Sequence, residues 1–301
     1  MKRLAHGFAQ ALACAAAVSA SAGSAAAQSW PVSHDSGGAV YVCQNQKNQC
    51  GVYSPQAKLL RMITGLKDPQ GQAVDPSGNW YIANTEASNV PVYAQKGATL
   101  VETLSDAGEN PVDVAVESGE VAVANVYSTG RSSGPGSVSV YVGGVTAPSY
   151  NLADSNAYQG VGVAYDGAGN CYWSYDSTKG AGEIDQFTGC ASGAQPVNLG
   201  ISASVAGGIK FDLQGNLWYV DQAVGLYKCQ GTTSCSLVAK GFSDPTYFSF
   251  SHGDKAFYIA DFGKAQVFKS KGRLPALGPD FVVTPWLSLL GPISVAVQPP
   301  Q

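Results

Sequence analysis

Gln44, Asn84, Asn125, Asp221 and Asp261 stand at one equivalent point of a recurring pattern, and Asp176 lies slightly off the same register. Oxygen-bearing side chains repeated in this way have two possible uses. Gathered round a common axis, their carboxylate and amide oxygens would collect a hard cation such as Ca²⁺, or a polar ligand. Left each in its own turn, they cap nearby backbone N–H groups. One residue type recurring in copy after copy is what capping predicts, so capping is the expected role. Metal ligation by Asn84, Asn125, Asp221 and Asp261 is the alternative. Tyr127, Tyr175 and Phe262 fall in stretches read as loops beside this ring, and are the aromatic candidates for stacking on a ligand.

Other chemistry is sparse. Asp75, Glu117, Asp166 and Asp212 precede Gly-rich turns, where Asp-Pro-Ser-Gly and Asp-Gly-Ala-Gly are ordinary turn chemistry. Beyond residue 27 the histidines are His34, in the N-terminal lead, and His252, in a turn on the face opposite the polar ring. A serine or cysteine nucleophile would therefore lack a nearby general base.

The elements that must position these residues are short strands. Clear copies of the pattern read AVDPSGNWYIAN from Ala73, GVAYDGAGNCYWS from Gly162 and IKFDLQGNLWYVD from Ile209. Looser copies start at Asp113 and Tyr247, and a sixth is split between the chain ends. Apolar residues alternate with a period of two between tight turns, the antiparallel-strand signature. Self-similarity at a fixed spacing implies a ring of repeated units. Inner strands are expected after Asp68-Pro69, Asn110-Pro111, Gln159-Gly160, Gly207-Gly208, Asp244-Pro245 and Gly291-Pro292.

The expected fold is therefore all-β, a six-bladed propeller of four-stranded antiparallel blades. The last inner strand, Pro292 to Val297, should pair with the hairpin Ala39 to Tyr53 and close the ring, which removes open sheet edges. Trp80, Trp173, Trp218, Tyr81, Tyr172 and Tyr219 should fill the space between blades. Val126–Gly136 and Ser174–Gly182 read as exposed insertions in the third and fourth blades.

The N-terminus reads as a secretory signal: Lys2 and Arg3, a small apolar stretch from Leu12 to Ala20, and an A-x-A site at Ala25–Ala27. This divides the chain into a signal peptide, 1–27, and one propeller domain, 28–301. Ala11 stands where a lipoprotein signal before Cys14 would want a larger aliphatic residue, so simple release is expected. Without Lys2 and Arg3, 15 Lys+Arg face 21 Asp+Glu, a net charge of −6. That balance, without basic clusters, argues against nucleic acid as a partner. Phe281 to Val297 is apolar but interrupted by Pro285, Gly291 and Pro292, so no membrane span is expected.

Six cysteines follow the signal, which allows fifteen pairings. The repeats narrow these to local pairs: Cys43 with Cys50 across a hairpin, Cys171 with Cys190 on partner strands, and Cys229 with Cys235 across a turn. A secreted or periplasmic location follows.

The stretch GNWYIANTEASNVPVYAQKG from Gly78 to Gly97 resembles an NHL-type repeat, and GPGSVSVYVGG from Gly134 to Gly144 resembles its third strand. The resemblance covers nearly all of the chain after the signal and implies propeller architecture. Gluconolactonase-like lactonases and streptogramin lyases share that fold. The lyase likeness implies a central catalytic His, and no position matches one. The lactonase likeness implies a metal held by Glu and Asn/Asp at the axis, and no Glu stands on an inner strand near the ring. The expectation is a monomeric, exported, non-enzymatic binding or scaffolding propeller without a cofactor. It would engage a protein or a small polar ligand through the loop face around the axis. The alternative is a Ca²⁺-dependent, lactonase-like hydrolase.

Overall fold

The computed structural model describes residues 38–94, 96–127, 134–270 and 283–298. The signal segment, His34 and part of the Val126–Gly136 insertion lie outside the described residues. Alternating apolar residues between Gly- and Asp-rich turns form six four-stranded antiparallel sheets. Strands A to D run outward from the axis in each sheet, or blade. Blade 2 is Pro69–Val74, Trp80–Asn84, Asn89–Ala94 and Thr99–Ser105. Blade 3 is Pro111–Glu117, Glu120–Asn125, Ser137–Val142 and Tyr150–Leu152. Blade 4 is Ala157–Tyr165, Cys171–Ser177, Gly182–Thr188 and Ser192–Pro196. Blade 5 is Ala206–Phe211, Leu217–Asp221, Gly225–Gln230 and Thr233–Lys240. Blade 6 is Pro245–Phe250, Phe257–Asp261, Gln266–Ser270 and Val283–Ser288.

Blade 1 joins the two ends of the chain. Its strand A is Pro292–Gln298, and strands B to D are Ala39–Gln44, Gln49–Tyr53 and Leu59–Thr64. Tyr41 pairs with Ala296 and Val42 with Val295, so the C-terminal strand closes the ring as expected. Each inner strand touches the next round the circle, blade 6 to blade 1 and blade 1 to blade 2 included.

Strands that pack on both faces bury large side chains between blades. Trp80, Trp173 and Trp218 are fully buried, and the Trp80 ring packs at a tilt against Tyr41 of the neighbouring blade, centroids 4.6 Å apart. Three turns repeat one clasp at the A–B connection. The Asp166 carboxylate accepts from Asn170 N and Nδ2 at 3.0 and 2.9 Å, and Asp75–Asn79 and Asp212–Asn216 do the same. The expected disulfides all form, Cys43–Cys50, Cys171–Cys190 and Cys229–Cys235. Three disulfides point to an oxidising compartment, extracellular or periplasmic. Among the described residues no helix is long and apolar enough to cross a membrane.

One local expectation changes. Strand B of blade 4 continues through Ser177, so Tyr175 and Asp176 are strand residues rather than loop residues. Strand alternation explains this: Trp173 and Tyr175 lie on one face of the strand, 4.9 Å apart, and both are buried.

Candidate functional site

The ring of strand B ends is built from latches. Asp221 accepts from Ser204 N at 2.7 Å and Ala223 N at 3.0 Å. Asp261 accepts from Ser243 N, Asp244 N and Lys264 N at 3.0, 3.0 and 3.1 Å. Asn84 accepts from Lys67 N at 2.6 Å and donates to Asn89 Oδ1 at 2.9 Å. Gln44 donates to Leu290 O at 2.8 Å, holding the segment that leads into the closing strand. Each of these four side chains ties down the chain entering its own blade. Asp176 reaches instead to the next blade and accepts from Ala206 N at 2.8 Å.

Asn125 is the exception. Its Nδ2 donates to Ser137 and Ser139, whose hydroxyls are committed to Glu109 and Asp106. Asn125 Oδ1 and Asp106 Oδ2 are buried acceptors without a donor. Burial raises the Asp106 pKa to about 6, against the pull of the Ser139 hydrogen bond. If Asp261 is a latch, Asp261→Ala should lower stability by about 1–3 kcal/mol in urea denaturation, through unsatisfied backbone N–H groups. The loss should be equal in Ca²⁺ and in EDTA. A loss confined to Ca²⁺ would instead make Asp261 a metal ligand.

Of the aromatic candidates, Tyr175 is buried against Trp173, and its hydroxyl donates to Glu183 Oε2 at 3.3 Å. Tyr127 is half-buried and takes a hydrogen bond from Gln159 Nε2. Phe262 packs with Val161 against a cluster containing Tyr247, Leu66 and Ile293. Tyr247 in that cluster stands near the start of its inner strand and spans to other blades. Tyr247 of blade 6 lies over Gly208 of blade 5, where a Cβ would come within 2.8 Å of its ring, and donates to Val161 O of blade 4 at 3.0 Å. None of the nine candidate residues lines the axial cavity.

The cavity lies toward the opposite face, that of the A–B turns. Its volume is 160 Å³ and its walls come from the inner strands of all six blades. Pairing to strand B aligns the six repeats here. Ala73, Ala115, Ala164, Lys210, Ser249 and Ala296 are each paired with the equivalent strand B residue. Two residues earlier stand Gly71, Asp113, Gly162, Gly208, Tyr247 and Ser294. Since alternate residues face the axis, the small residues make room and a few large ones define the chemistry. A Cβ on Gly71 would strike Asp113 Oδ1 at 2.3 Å, so glycine there lets the carboxylate settle.

Asp113 is fully buried and accepts from Val163 N at 3.1 Å. Burial raises its pKa to about 6, and the Lys210 ammonium and backbone N–H groups oppose that rise. Lys210 is half-buried, at the cavity wall. Among the described residues the cavity wall offers the Lys210 ammonium, the Glu117 carboxylate and the Ser249 hydroxyl, while Asp113 is buried behind the wall. Reading the strand B ends as the ring of interest left Lys210 out. The signal that finds it is the repeat alignment, where one lysine stands among four alanines and a serine.

No protein-family model matches the chain, and no curated protein matches its sequence. Solved structures do. A chain of the nidogen/laminin complex aligns with a TM-score of 0.61 and 14% identity, over 87% of this chain and 98% of that one. A chain of hydrazine synthase from Kuenenia stuttgartiensis aligns at 0.61 and 12%, over 84% of each. A catalytically inactive virginiamycin B lyase from Staphylococcus aureus, solved with quinupristin, aligns at 0.58 and 10%, over 85% of this chain and 80% of that one. At such identities the likeness is one of fold: this chain is a six-bladed β-propeller, shared with proteins of unlike activity.

Proposed function

We propose that this chain is an exported, non-enzymatic binding propeller that takes a small polar ligand in its axial cavity, anchored by Lys210. The observation that carries this reading is the aligned inner position. Four alanines and a serine leave space, and blade 5 fills it with Lys210, which among the described residues is the one ammonium in the cavity wall. Lys210 donates, Glu117 accepts and Ser249 does either, which suits a polyol or a zwitterion better than a simple anion. The signal-like N-terminus and the three disulfides support export. The strand B ends support a scaffold role, since their polar groups hold backbone rather than point to a ligand.

The test is thermal unfolding of the oxidised protein with sugars, amino acids, lactones, Ca²⁺ and EDTA. A ligand at a hundred times its Kd adds about 2.7 kcal/mol, a shift of several degrees. A polyol or zwitterion should raise the midpoint of the wild type and leave Lys210→Met unmoved. An equal shift in Lys210→Met would place the ligand elsewhere. A Ca²⁺ shift accompanied by lactone turnover would favour the hydrolase alternative.

A further inference from the structure

A second cavity lies between blades 2 and 3 and owes nothing to the axis. It measures 250 Å³, and Leu104, Val116, Val121 and Val145 supply its apolar wall. Its polar wall is one-sided. Asp75, Glu102 and the phenols of Tyr81 and Tyr141 line it, and among the described residues no Lys, Arg or His does.

The hydroxyl donors of this wall are largely spent. Tyr81 donates to Asp75 Oδ2 at 3.4 Å, Tyr141 to Ser105 O at 3.0 Å and Ser118 to Glu117 at 3.0 Å. Acceptors remain. Glu102 Oε2 is out of solvent and has no donor. Burial raises the Glu102 pKa, and burial with the Asp75 and Glu102 charges raises that of Tyr81, so the acceptor left open beside these rings is the Glu102 carboxylate. A buried acceptor without a donor is destabilising, and a ligand bringing N–H groups would relieve it. Electron-rich phenol rings add attraction for a positive charge once water is excluded.

We propose that this pocket binds a small organic cation, a primary ammonium on a short apolar body, with the ammonium at Glu102 and the body against Leu104, Val116 and Val121. The volume sets the size: it is below that of a drug-sized site, so a single ring or a short chain fits and a peptide does not.

Calorimetric titration with benzylamine, and with benzyl alcohol as its neutral counterpart, tests this on the oxidised full-length protein. Benzylamine should bind the wild type at least ten-fold more tightly than benzyl alcohol does. Glu102→Gln, which keeps shape and removes charge, should bind benzylamine at least ten-fold more weakly. The comparison of the two probes on the wild type needs no variant, so it holds even if Glu102→Gln folds poorly. Equal binding of both probes would make the pocket merely apolar and overturn the proposal. Unchanged benzylamine binding in Glu102→Gln, or no binding at millimolar concentration, would overturn it too.

Discussion

Ending the chain at Gly291 should leave no cooperatively folded protein. The lost segment, Pro292–Gln298, is the innermost strand of blade 1 and pairs with Ala39–Gln44 along its length. Ile293, Val295, Ala296 and Val297 are all buried. Burying a side chain of this kind is worth about 1.5–3 kcal/mol, so the strand alone approaches the 5–15 kcal/mol stability of a typical domain. Polar ties to both neighbours go with it. Thr246 of blade 6 donates to Ile293 O, Ser294 donates to Gln70 O of blade 2, and Gln72 donates to Ser294 Oγ at 2.9 Å. Strand Ala39–Gln44 would be left as an open edge. Near-ultraviolet circular dichroism on heating should show no sharp transition for the shortened chain. A cooperative transition close to that of the whole protein would refute closure by this strand.

Acidification should stabilise the protein. Asp106, Asp113 and Asp185 are buried, and burial raises the pKa of each from 3.8 to about 6. A raised carboxyl pKa means that the folded state holds its proton more tightly than the unfolded state does. Such a group weakens the fold while ionised, above about pH 6, and the penalty is relieved as pH falls from 6 toward 4. Asp176, Asp244 and Asp254 are shifted the same way, by burial first. Asp212 runs opposite. The Trp218, Asn216 and Lys228 donors outweigh its burial and lower its pKa, so its contribution is lost only below the usual carboxyl range. Between pH 7.5 and 5 each of Asp106 and Asp113 should contribute roughly 1 kcal/mol. The urea midpoint should therefore rise across that interval, and Asp113→Asn should remove part of the rise. A midpoint that falls steadily from pH 7.5 to 5 would contradict the assignment of these groups.

The architecture is legible because its determinants are local and repeated. Copies such as AVDPSGNWYIAN carry strand alternation and turn chemistry in a dozen residues, and six inner-strand starts count the blades. The disulfide pairs follow from strand register, since Cys43 and Cys50 stand directly opposite. The split blade follows from a strand without a hairpin at one end and a hairpin without a strand at the other. Site chemistry is harder to read because it depends on which residues converge from different blades. Tyr247 is one of them, a bulky residue at a position where three other blades have glycine. Its reach to a carbonyl two blades away is a long-range fact with no local trace. Lys210 sits between the conspicuous Ile209 and Phe211 and reads as an ordinary polar alternation until the six repeats are aligned. Tyr175 and Asp176 read as loop residues because strand B of blade 4 outlasts its counterparts.

The measurement that meets the central claim most directly is ligand-observed NMR of the oxidised protein with the compounds that shift its unfolding midpoint. Saturation transfer should mark a bound polyol or zwitterion, Lys210→Met should abolish that transfer, and the ligand should persist unchanged for hours with Ca²⁺ or with EDTA. Steady appearance of a hydrolysed product from the wild type, stopped by EDTA, would contradict a binding propeller and make this chain a metal-dependent enzyme.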